Sequence, residues 1–199
     1  MQEIELDREK LKMMQKHVFD IATKKGWHDH PLSKEHYLCL VMTEVAEAVE
    51  ADREGRRAKT DMMEDVIRTQ AEGEIGLTQQ WYETWFTTYY DEYIKKSIEE
   101  EFADVVIRLL DMAQEIHGDK MTWIGNYPCG DTYSESRSFS ENAWVFTHDV
   151  LNWGRMNIAD AVAFMYDWAQ HLGIDLDKHI EWKEKKNEFR PYKHGGKKY

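Results

Sequence analysis

Hydrophobic positions recur at steps of three and four residues along most of this chain, which is the repeat of an amphipathic α-helix. The pattern predicts five long helices and one shorter helix, at about 3–25, 34–54, 97–117, 158–172, 175–189 and 141–152. Residues that commonly cap helix starts precede three of these segments, namely Ser33, Ser140 and Asn157. Glycines that commonly end a helix follow four of them, namely Gly26, Gly55, Gly118 and Gly173.

Aromatic residues dominate the less regular stretch 56–97. An aromatic-rich helix is predicted from four residues at strict four-residue intervals and three alongside, namely Trp81, Trp85, Tyr89, Tyr93, Tyr82, Phe86 and Tyr90. Such a stripe is typical of core packing or of a subunit interface, and less often of a surface on which bases stack. Residues 119–139 contain Pro128, glycines and a polar run, and are predicted to form a long loop.

These elements predict an all-α protein. Only three Pro and eleven Gly interrupt the 199 residues, so the chain lacks the frequent turns of a sandwich or barrel. Its length suits one domain, and neither an internal repeat nor a second domain boundary is visible. We expect a single domain over residues 1–199, a bundle of about four to five core helices with an inserted aromatic-rich helical segment. Its connections at about 56–97 and 119–157 are enlarged.

The net charge of −12 is unevenly distributed, because residues 178–199 are basic and the rest of the chain is strongly acidic. An acidic body argues against a general nucleic-acid clamp and suits cation binding. No apolar run approaches the roughly 20 residues of a membrane span. The two cysteines, Cys39 and Cys129, form no CxxC pair, so neither a disulfide framework nor a structural zinc site is expected. A cytoplasmic protein with no membrane or nucleic-acid partner is predicted.

Two of the predicted helices each carry a pair of acids three residues apart. In the helix at 34–54, Glu44 borders apolar residues on the helical wheel, and Glu47 follows about one turn later. In the helix at 97–117, Glu101 and Asp104 repeat this arrangement. A carboxylate in apolar surroundings requires a compensating positive charge. If the two helices pack together, the four carboxylates meet at one site, where a metal ion relieves their repulsion.

Oxygen ligands alone favour Mg²⁺, with Mn²⁺ as an alternative, because zinc, copper and di-iron centres recruit His or Cys. No ExxH, HExxH or HxxxH spacing occurs in the chain. The neighbouring acids Glu50, Glu99 and Glu100 take less apolar wheel positions and are expected to be surface charges in a lattice with Lys or Arg. Asp111 shares the polar arc of Asp104 and fits either interpretation.

The last helix supplies groups that suit phosphate. Lys183, Asn187 and Arg190 fall at steps of four and three residues, so one face combines two cations and an amide. A basic helix end that balances its own dipole has the same pattern. In the loop before residue 34, Trp27 and His30 are candidates for holding a base or sugar by stacking and hydrogen bonding. A hydrophobic contact between the first two helices is the alternative for Trp27.

Three segments in this order, TEVAEAVEADREGRRA, IEEEFADVVIRLLDMA and LGIDLDKHIEWKEKKNEFRPY, resemble the MazG-like all-α nucleoside triphosphate pyrophosphohydrolases. The resemblance covers about residues 10–54, 97–118 and the end of the chain. It implies two sets of site residues, the magnesium ligands Glu44, Glu47, Glu101 and Asp104 and the triphosphate contacts Lys183, Asn187 and Arg190. The two enlarged connections depart from the family pattern, and they bear on substrate choice and assembly.

The same resemblance implies a reaction, the hydrolysis of a nucleoside triphosphate between its α and β phosphates to give the monophosphate and diphosphate. The expected substrate is a deoxynucleotide, and the expected assembly is a homo-oligomer, either a dimer or a tetramer. A magnesium-bound water would attack, and one of the four carboxylates would accept its proton. Lys183 and Arg190 would offset charge on the departing diphosphate.

Two other functions fit parts of the sequence. His28–Asp29 and His148–Asp149 are HD dipeptides, as in the all-helical HD metallo-phosphohydrolases, although additional ligands at suitable spacing have no independent support. Alternatively, the chain is a non-catalytic interaction module, in which the aromatic segment 81–93 binds a partner and the acids are only surface charge. The response of the protein to magnesium separates the alternatives.

Overall fold

The computed structural model describes residues 3–72, 78–123, 125–128, 133–150 and 157–196. In these ranges eight α-helices of seven residues or more form the chain, namely α1 (Arg8–Lys24), α2 (Lys34–Arg53), α3 (Thr60–Glu72), α4 (Gln79–Tyr93), α5 (Ile98–His117), α6 (Phe139–Val145), α7 (Ile158–His171) and α8 (Leu176–Phe189). Shorter helical turns lie at Gly118–Lys120, Phe146–Val150 and Lys193–Gly196. Two three-residue strands, β1 (Glu3–Glu5) and β2 (Asn126–Pro128), pair antiparallel. The predicted all-α fold class is confirmed.

Helix α5 is the centre of the bundle. It packs against α1, α2, α7 and α8, and its apolar side chains are almost fully buried. Because neighbours cover α5 on several sides, polar side chains in its first turn are enclosed as well. The main core is formed by buried residues from these five helices, among them Leu11, Val41, Phe102, Leu109, Phe164 and Ile180.

Helix α7 is apolar and largely buried, and side chains such as Phe164 and Trp168 are almost completely enclosed. It has 14 residues, fewer than the roughly 20 that cross a bilayer. No helix in the described part of the chain is both long and apolar enough to span a membrane.

The first predicted helix begins later than expected. Residues 3–5 form β1 and pair with β2, and α1 begins at Arg8. The side chain of Asp7 caps α1 by accepting backbone N–H hydrogen bonds at 3.0 Å. The strand pairing also attaches part of the predicted loop 119–139 to the N-terminal segment. Residues 124 and 129–132 of that loop lie outside the described residues.

The helix starts follow two of the three predicted caps. The side chain of Ser33 accepts a backbone N–H hydrogen bond at the start of α2, and that of Asn157 accepts one at the start of α7. The prediction for Ser140 is wrong, because Ser138 caps α6 through a reciprocal capping box. The end of that predicted helix, residues 151–152, lies outside the described residues.

The predicted aromatic helix is α4, and the stretch before it forms a separate helix, α3. Phe86 and Tyr90 are buried in a second apolar cluster between α3, α4 and α8. The residues of the four-residue repeat lie on the more exposed side of α4, where Trp81 is 41% exposed and stacks on Trp85 with ring centroids 6.0 Å apart. One side of α4 therefore packs, and the other faces solvent. Residues 73–77 of the predicted segment lie outside the described residues.

Candidate metal centre and adjoining cleft

Three of the four predicted acids converge where α2 meets α5. One carboxylate oxygen from each of Glu44, Glu101 and Asp104 lies within 4.8 Å of the other two. Glu44 projects from the side of α2 that also buries Tyr37 and Ala48. Because α2 packs on α5, the apolar border of Glu44 is part of the contact between the helices.

Burial makes these carboxylates costly to ionise. Glu101 is 3% exposed, and desolvation, followed by the charges of Asp104 and Glu100, raises the pKa of its carboxyl to about 9. Desolvation and the charge of Asp104 also raise the pKa of Glu44, although Arg108 opposes this shift. At neutral pH the free site therefore favours a proton on Glu101, and a cation that binds there must displace it.

The donor set fits a hard divalent cation. All the ligand atoms that converge are carboxylate oxygens, the type that Mg²⁺ and Mn²⁺ prefer. A cation among them would offset both the desolvation and the mutual repulsion that raise the pKa values of these acids. Among the described residues no His or Cys joins the group, so the chemistry of the donors favours magnesium over zinc.

Glu47 lies at the edge of this group. Its side chain is exposed, and it is not one of the three acids whose oxygens converge. Its negative charge nevertheless contributes to the raised pKa values of Glu44 and Glu101. The structure therefore brings three of the predicted ligands together and leaves the fourth beside them, within electrostatic range.

Lys183, predicted to contact phosphate, reaches the acids directly. Its Nζ lies 2.5 Å from Asp104 Oδ2 and 2.6 Å from Glu100 Oε1, and its side chain is buried. Burial lowers the pKa of Lys183, but the charges of Asp104 and Glu100 outweigh it and raise the pKa. Burial likewise raises the pKa of Glu100, and the charge and hydrogen bond of Lys183 reverse that shift. Helix α8 thus places a charged ammonium group beside the carboxylates.

The expectation that Glu99 and Glu100 are surface charges is wrong, since each is 4% exposed. Glu99 accepts a hydrogen bond from Arg57 Nε at 2.5 Å and another from a backbone N–H at 2.8 Å. Glu100 accepts hydrogen bonds from Lys183 and from a backbone N–H. These partners compensate the burial of the two carboxylates. Glu50, by contrast, pairs at 2.6 Å with an arginine on the same helix, as expected.

A cleft with about 550 Å³ of open space adjoins the carboxylates between α1, α5 and α8. Asp104, Asn187 and Trp27 all line it. The amide oxygen of Asn187 is buried and has no hydrogen-bond partner among the described residues, and an unpaired buried acceptor is costly unless a ligand supplies a donor. The apolar wall of the cleft comes from α1 and α5, through Val18, Ile21, Ala22 and Ile107.

Arg190 follows the end of α8 and lies near Lys183, since its positive charge opposes the raised pKa of that lysine. Its Nη1 is 3.4 Å from Nδ1 of His194. His194 lines the cleft and meets the ring of Trp27 edge-on, with ring centroids 5.0 Å apart. The three predicted phosphate contacts, Lys183, Asn187 and Arg190, therefore lie around the same cleft.

The loop before α2 separates this cleft from a second one with about 500 Å³ of open space. Trp27 lines both clefts, and His30 lines the second. The C-terminal segment holds the loop in place, because Tyr192 packs against Gly26. A Cβ atom at Gly26, where φ is +82°, would lie 2.3 Å from the Tyr192 ring. Only glycine permits this contact, and with it the position of the adjacent Trp27.

Among the described residues, neither HD dipeptide contributes to the carboxylate group. Nε2 of His28 lies 2.8 Å from Asp111 Oδ1, so Asp111 is a partner of His28 and is not part of the group. Asp29 pairs with a lysine of the C-terminal segment at 3.1 Å. His148 is exposed, and the side chain of Asp149 lies outside the described residues. The described geometry thus gives no support to an HD-type site.

Comparisons with protein-family models, with curated proteins and with solved structures found no match. The fold and the site together define an all-α protein in which buried carboxylates of two helices adjoin a buried lysine and a cleft. The function of the chain is therefore inferred from the chemistry of this site.

Cation binding at the carboxylates is expected to strengthen as pH rises from about 6 to about 8. The pKa of Glu101 is about 9, so in this range a cation must displace a proton, and the cost of removing it falls as pH rises. The affinity for Mn²⁺ should increase by up to about tenfold per pH unit, with net release of protons. Titration calorimetry with Mn²⁺ in two buffers of different ionisation enthalpy measures both quantities. Constant affinity without proton release would contradict this expectation, and Glu101→Gln should reduce the proton release.

Proposed function

We propose that the protein is a Mg²⁺-dependent nucleoside triphosphate pyrophosphohydrolase, which converts a nucleoside triphosphate and water to the monophosphate and diphosphate. The observation that carries the proposal is the convergence of Glu44, Glu101 and Asp104 beside the buried ammonium group of Lys183. Carboxylates that can hold a divalent cation next to a fixed positive charge suit a substrate with several negative charges. The resemblance of three sequence segments to the MazG-like enzymes supports the same assignment.

Four acids would hold the cation, with Glu44, Glu101 and Asp104 at its centre and Glu47 at the edge. When bound, Mg²⁺ would neutralise charge on phosphate oxygens and lower the pKa of a coordinated water. Two of these acids are buried, so solvent screens their interactions less than it does at the surface. The burial that raises the pKa values of the empty site thus strengthens its attraction for a cation.

The polyphosphate would be bound by residues of α8 and the turn that follows it. Lys183 supplies a point charge, Asn187 supplies an amide whose oxygen is unpaired among the described residues, and Arg190 supplies a guanidinium group. These groups differ in geometry, so together they fit oxygens on successive phosphates. Lys183 and Arg190 would offset charge on the diphosphate as it departs.

The nucleoside would lie along the cleft. Its wall on α1 is apolar, and Trp27 offers an aromatic ring on which a base can stack. His30 lines the neighbouring cleft on the other side of the same loop, where it could meet a sugar or base edge. A deoxynucleoside triphosphate is the proposed substrate class.

Hydrolysis would form a bond between the water oxygen and the α phosphorus and break the bond from that phosphorus to the α–β bridging oxygen. One of the four carboxylates accepts the proton of the attacking water. The bridging oxygen leaves with the β and γ phosphates as diphosphate. The residues of the chain therefore act by binding, orienting and balancing charge, and no covalent intermediate with the protein is required.

Self-association is part of the proposal. The exposed side of α4 carries aromatic rings, including the stacked pair Trp81 and Trp85, and such surfaces favour a contact with a second copy. A dimer or tetramer in the cytoplasm is proposed, and the exposed thiol of Cys39 fits a reducing compartment.

Incubation with each deoxynucleoside triphosphate and Mg²⁺ tests the proposed activity. We expect diphosphate and the matching monophosphate as products, and loss of turnover when the metal is chelated. Chromatography of the products distinguishes cleavage after the α phosphate from release of orthophosphate. Failure to release diphosphate from any nucleotide in a panel that includes dUTP and the ribonucleotides would remove the proposal.

Comparison of His148→Ala with Glu101→Ala separates the carboxylate site from an HD-type site. His148 is exposed and does not belong to the carboxylate group, so its replacement should leave turnover unchanged. Loss of turnover in His148→Ala alone would favour the HD-type enzyme. A protein with no turnover and no magnesium-linked rise in melting temperature would fit the interaction module.

A further inference from the structure

Arg108 lies four residues after Asp104 on α5 and was not among the residues expected at the site. Its Nε donates a hydrogen bond to Glu44 Oε1 at 3.1 Å. The side chain is 36% exposed, and it lines both clefts, on the two sides of Trp27. Arg108 is therefore a guanidinium group that adjoins the carboxylates and the cleft at the same time.

The contact with Glu44 uses little of the guanidinium group of Arg108. Hydrogen bonds between described residues engage its Nε, and they leave the donors of Nη1 and Nη2 for another partner. A guanidinium group presents its donors in a plane that matches two oxygens of a phosphate. The adjoining cleft, which also contains the unpaired amide oxygen of Asn187, offers space for such a phosphate.

Arg108 is held less firmly than Lys183, the other cation at the site. Lys183 is 4% exposed and contacts two buried or partly buried carboxylates, Glu100 and Asp104. Arg108 has a single carboxylate partner and a third of its side chain in contact with solvent. The guanidinium group can therefore change partner without leaving a second buried charge unpaired.

We propose that Arg108 is a further phosphate-binding cation, which Glu44 holds in the free protein and which moves to the nucleotide when a divalent cation occupies the carboxylates. This inference rests on the proposed function. In the free protein, the guanidinium group offsets charge on Glu44. A divalent cation on Glu44 takes over that task and repels the guanidinium group, because both are positive and share one carboxylate.

The exchange couples the two ligands of the enzyme. Once Glu44 is occupied, Arg108 is available to the phosphates, so the divalent cation strengthens nucleotide binding beyond the contacts that it makes itself. By linkage, the nucleotide strengthens cation binding by the same factor. The coupling requires both the positive charge of Arg108 and the planar arrangement of its donors.

Titration calorimetry on Arg108→Met tests the exchange in two steps. Mn²⁺ titrated into the free protein should bind about three- to tenfold more tightly to the variant than to the wild type, because the internal competitor for Glu44 is absent. The α,β-imido analogues of the deoxynucleoside triphosphates, titrated into Mn²⁺-loaded protein, should bind at least about tenfold more weakly to the variant. These measurements do not depend on turnover.

Two further variants control for charge and for fold. Arg68 on α3 pairs with Asp65 on the surface at 2.8 Å, so Arg68→Met makes the same change of charge away from the site and should alter neither affinity. Arg108→Lys keeps the charge but not the planar donors, so Mn²⁺ affinity should stay near that of the wild type while analogue affinity falls. Melting curves show whether each variant is folded.

The outcomes distinguish this inference from the proposed function. If folded Arg108→Met binds the analogue as tightly as the wild type does, the exchange is overturned and the proposed enzyme is not. If Arg108→Met does not fold, unchanged analogue affinity in Arg108→Lys overturns the exchange instead. A wild-type protein that binds neither Mn²⁺ nor any of the analogues overturns both.

Discussion

Replacing Glu101 by Gln is expected to lower kcat for nucleotide hydrolysis by about three orders of magnitude and to leave the fold intact. The pKa of Glu101 is about 9, so at neutral pH the free protein already holds this side chain mostly in its neutral form. An amide of the same shape replaces that form with little loss of stability. It lacks the negative charge that a cation requires, so function is lost without unfolding.

Two measurements on Glu101→Gln separate these effects. Diphosphate release gives kcat, and melting temperature with and without Mg²⁺ reports cation binding, which should raise the melting temperature of the wild type but not of the variant. Glu50→Gln is the matched control, because Glu50 lies on the surface of α2 and pairs with Arg53. Wild-type turnover in Glu101→Gln would show that these carboxylates are not the catalytic centre.

The long helices could be predicted from the sequence because their signals are local. An apolar repeat with a capping residue is contained within each segment, as in α2 with Ser33 and α7 with Asn157. The convergence of Glu44 with Glu101 followed from the same source, since an acid on the apolar border of a helix must lie near a neighbour. Three-residue strands such as β1 and β2 carry no comparable period, and the sequence gives no sign of their pairing.

The burial of Glu99 and Glu100 could not be predicted in the same way, because their partners are distant in the chain. Arg57 is 42 residues from Glu99, and Lys183 is 83 residues from Glu100. A helical wheel contains only residues of one helix, so it assigns both acids to solvent. The available signal for Arg108 was its spacing, one turn beyond Asp104 on a helix whose other residues are mostly apolar.

The inserted aromatic helix is also part of the site, which its sequence did not indicate. Tyr90 of α4 is completely buried, and desolvation, with the charges of Glu100 and Asp104, raises the pKa of its hydroxyl. On the next turn of α8 after Lys183, Lys186 pairs with Asp91 at 2.7 Å. Helix α4 therefore covers the side of α8 that carries the buried lysine, and it excludes water from the ion pairs there.

Replacing Lys183 by Met is expected to destabilise the protein by about 3–5 kcal/mol and to abolish turnover. The lysine is 4% exposed and is the shared partner of Glu100 and Asp104. Its removal leaves two enclosed carboxylates close together without their cation, whereas methionine keeps the helix propensity and most of the volume. Urea denaturation measures the loss of stability.

The cause of that loss is tested by a second substitution in the same variant. Adding Glu100→Gln to Lys183→Met removes one of the two orphaned charges, so it should restore part of the stability but none of the turnover. Lys185→Met is the control, because Lys185 pairs with Glu188 at 3.1 Å in a partly exposed position and should cost less than about 1 kcal/mol. If Lys183→Met is as stable as Lys185→Met, the ammonium group does not hold these acids together, and its place at the centre of the site is wrong.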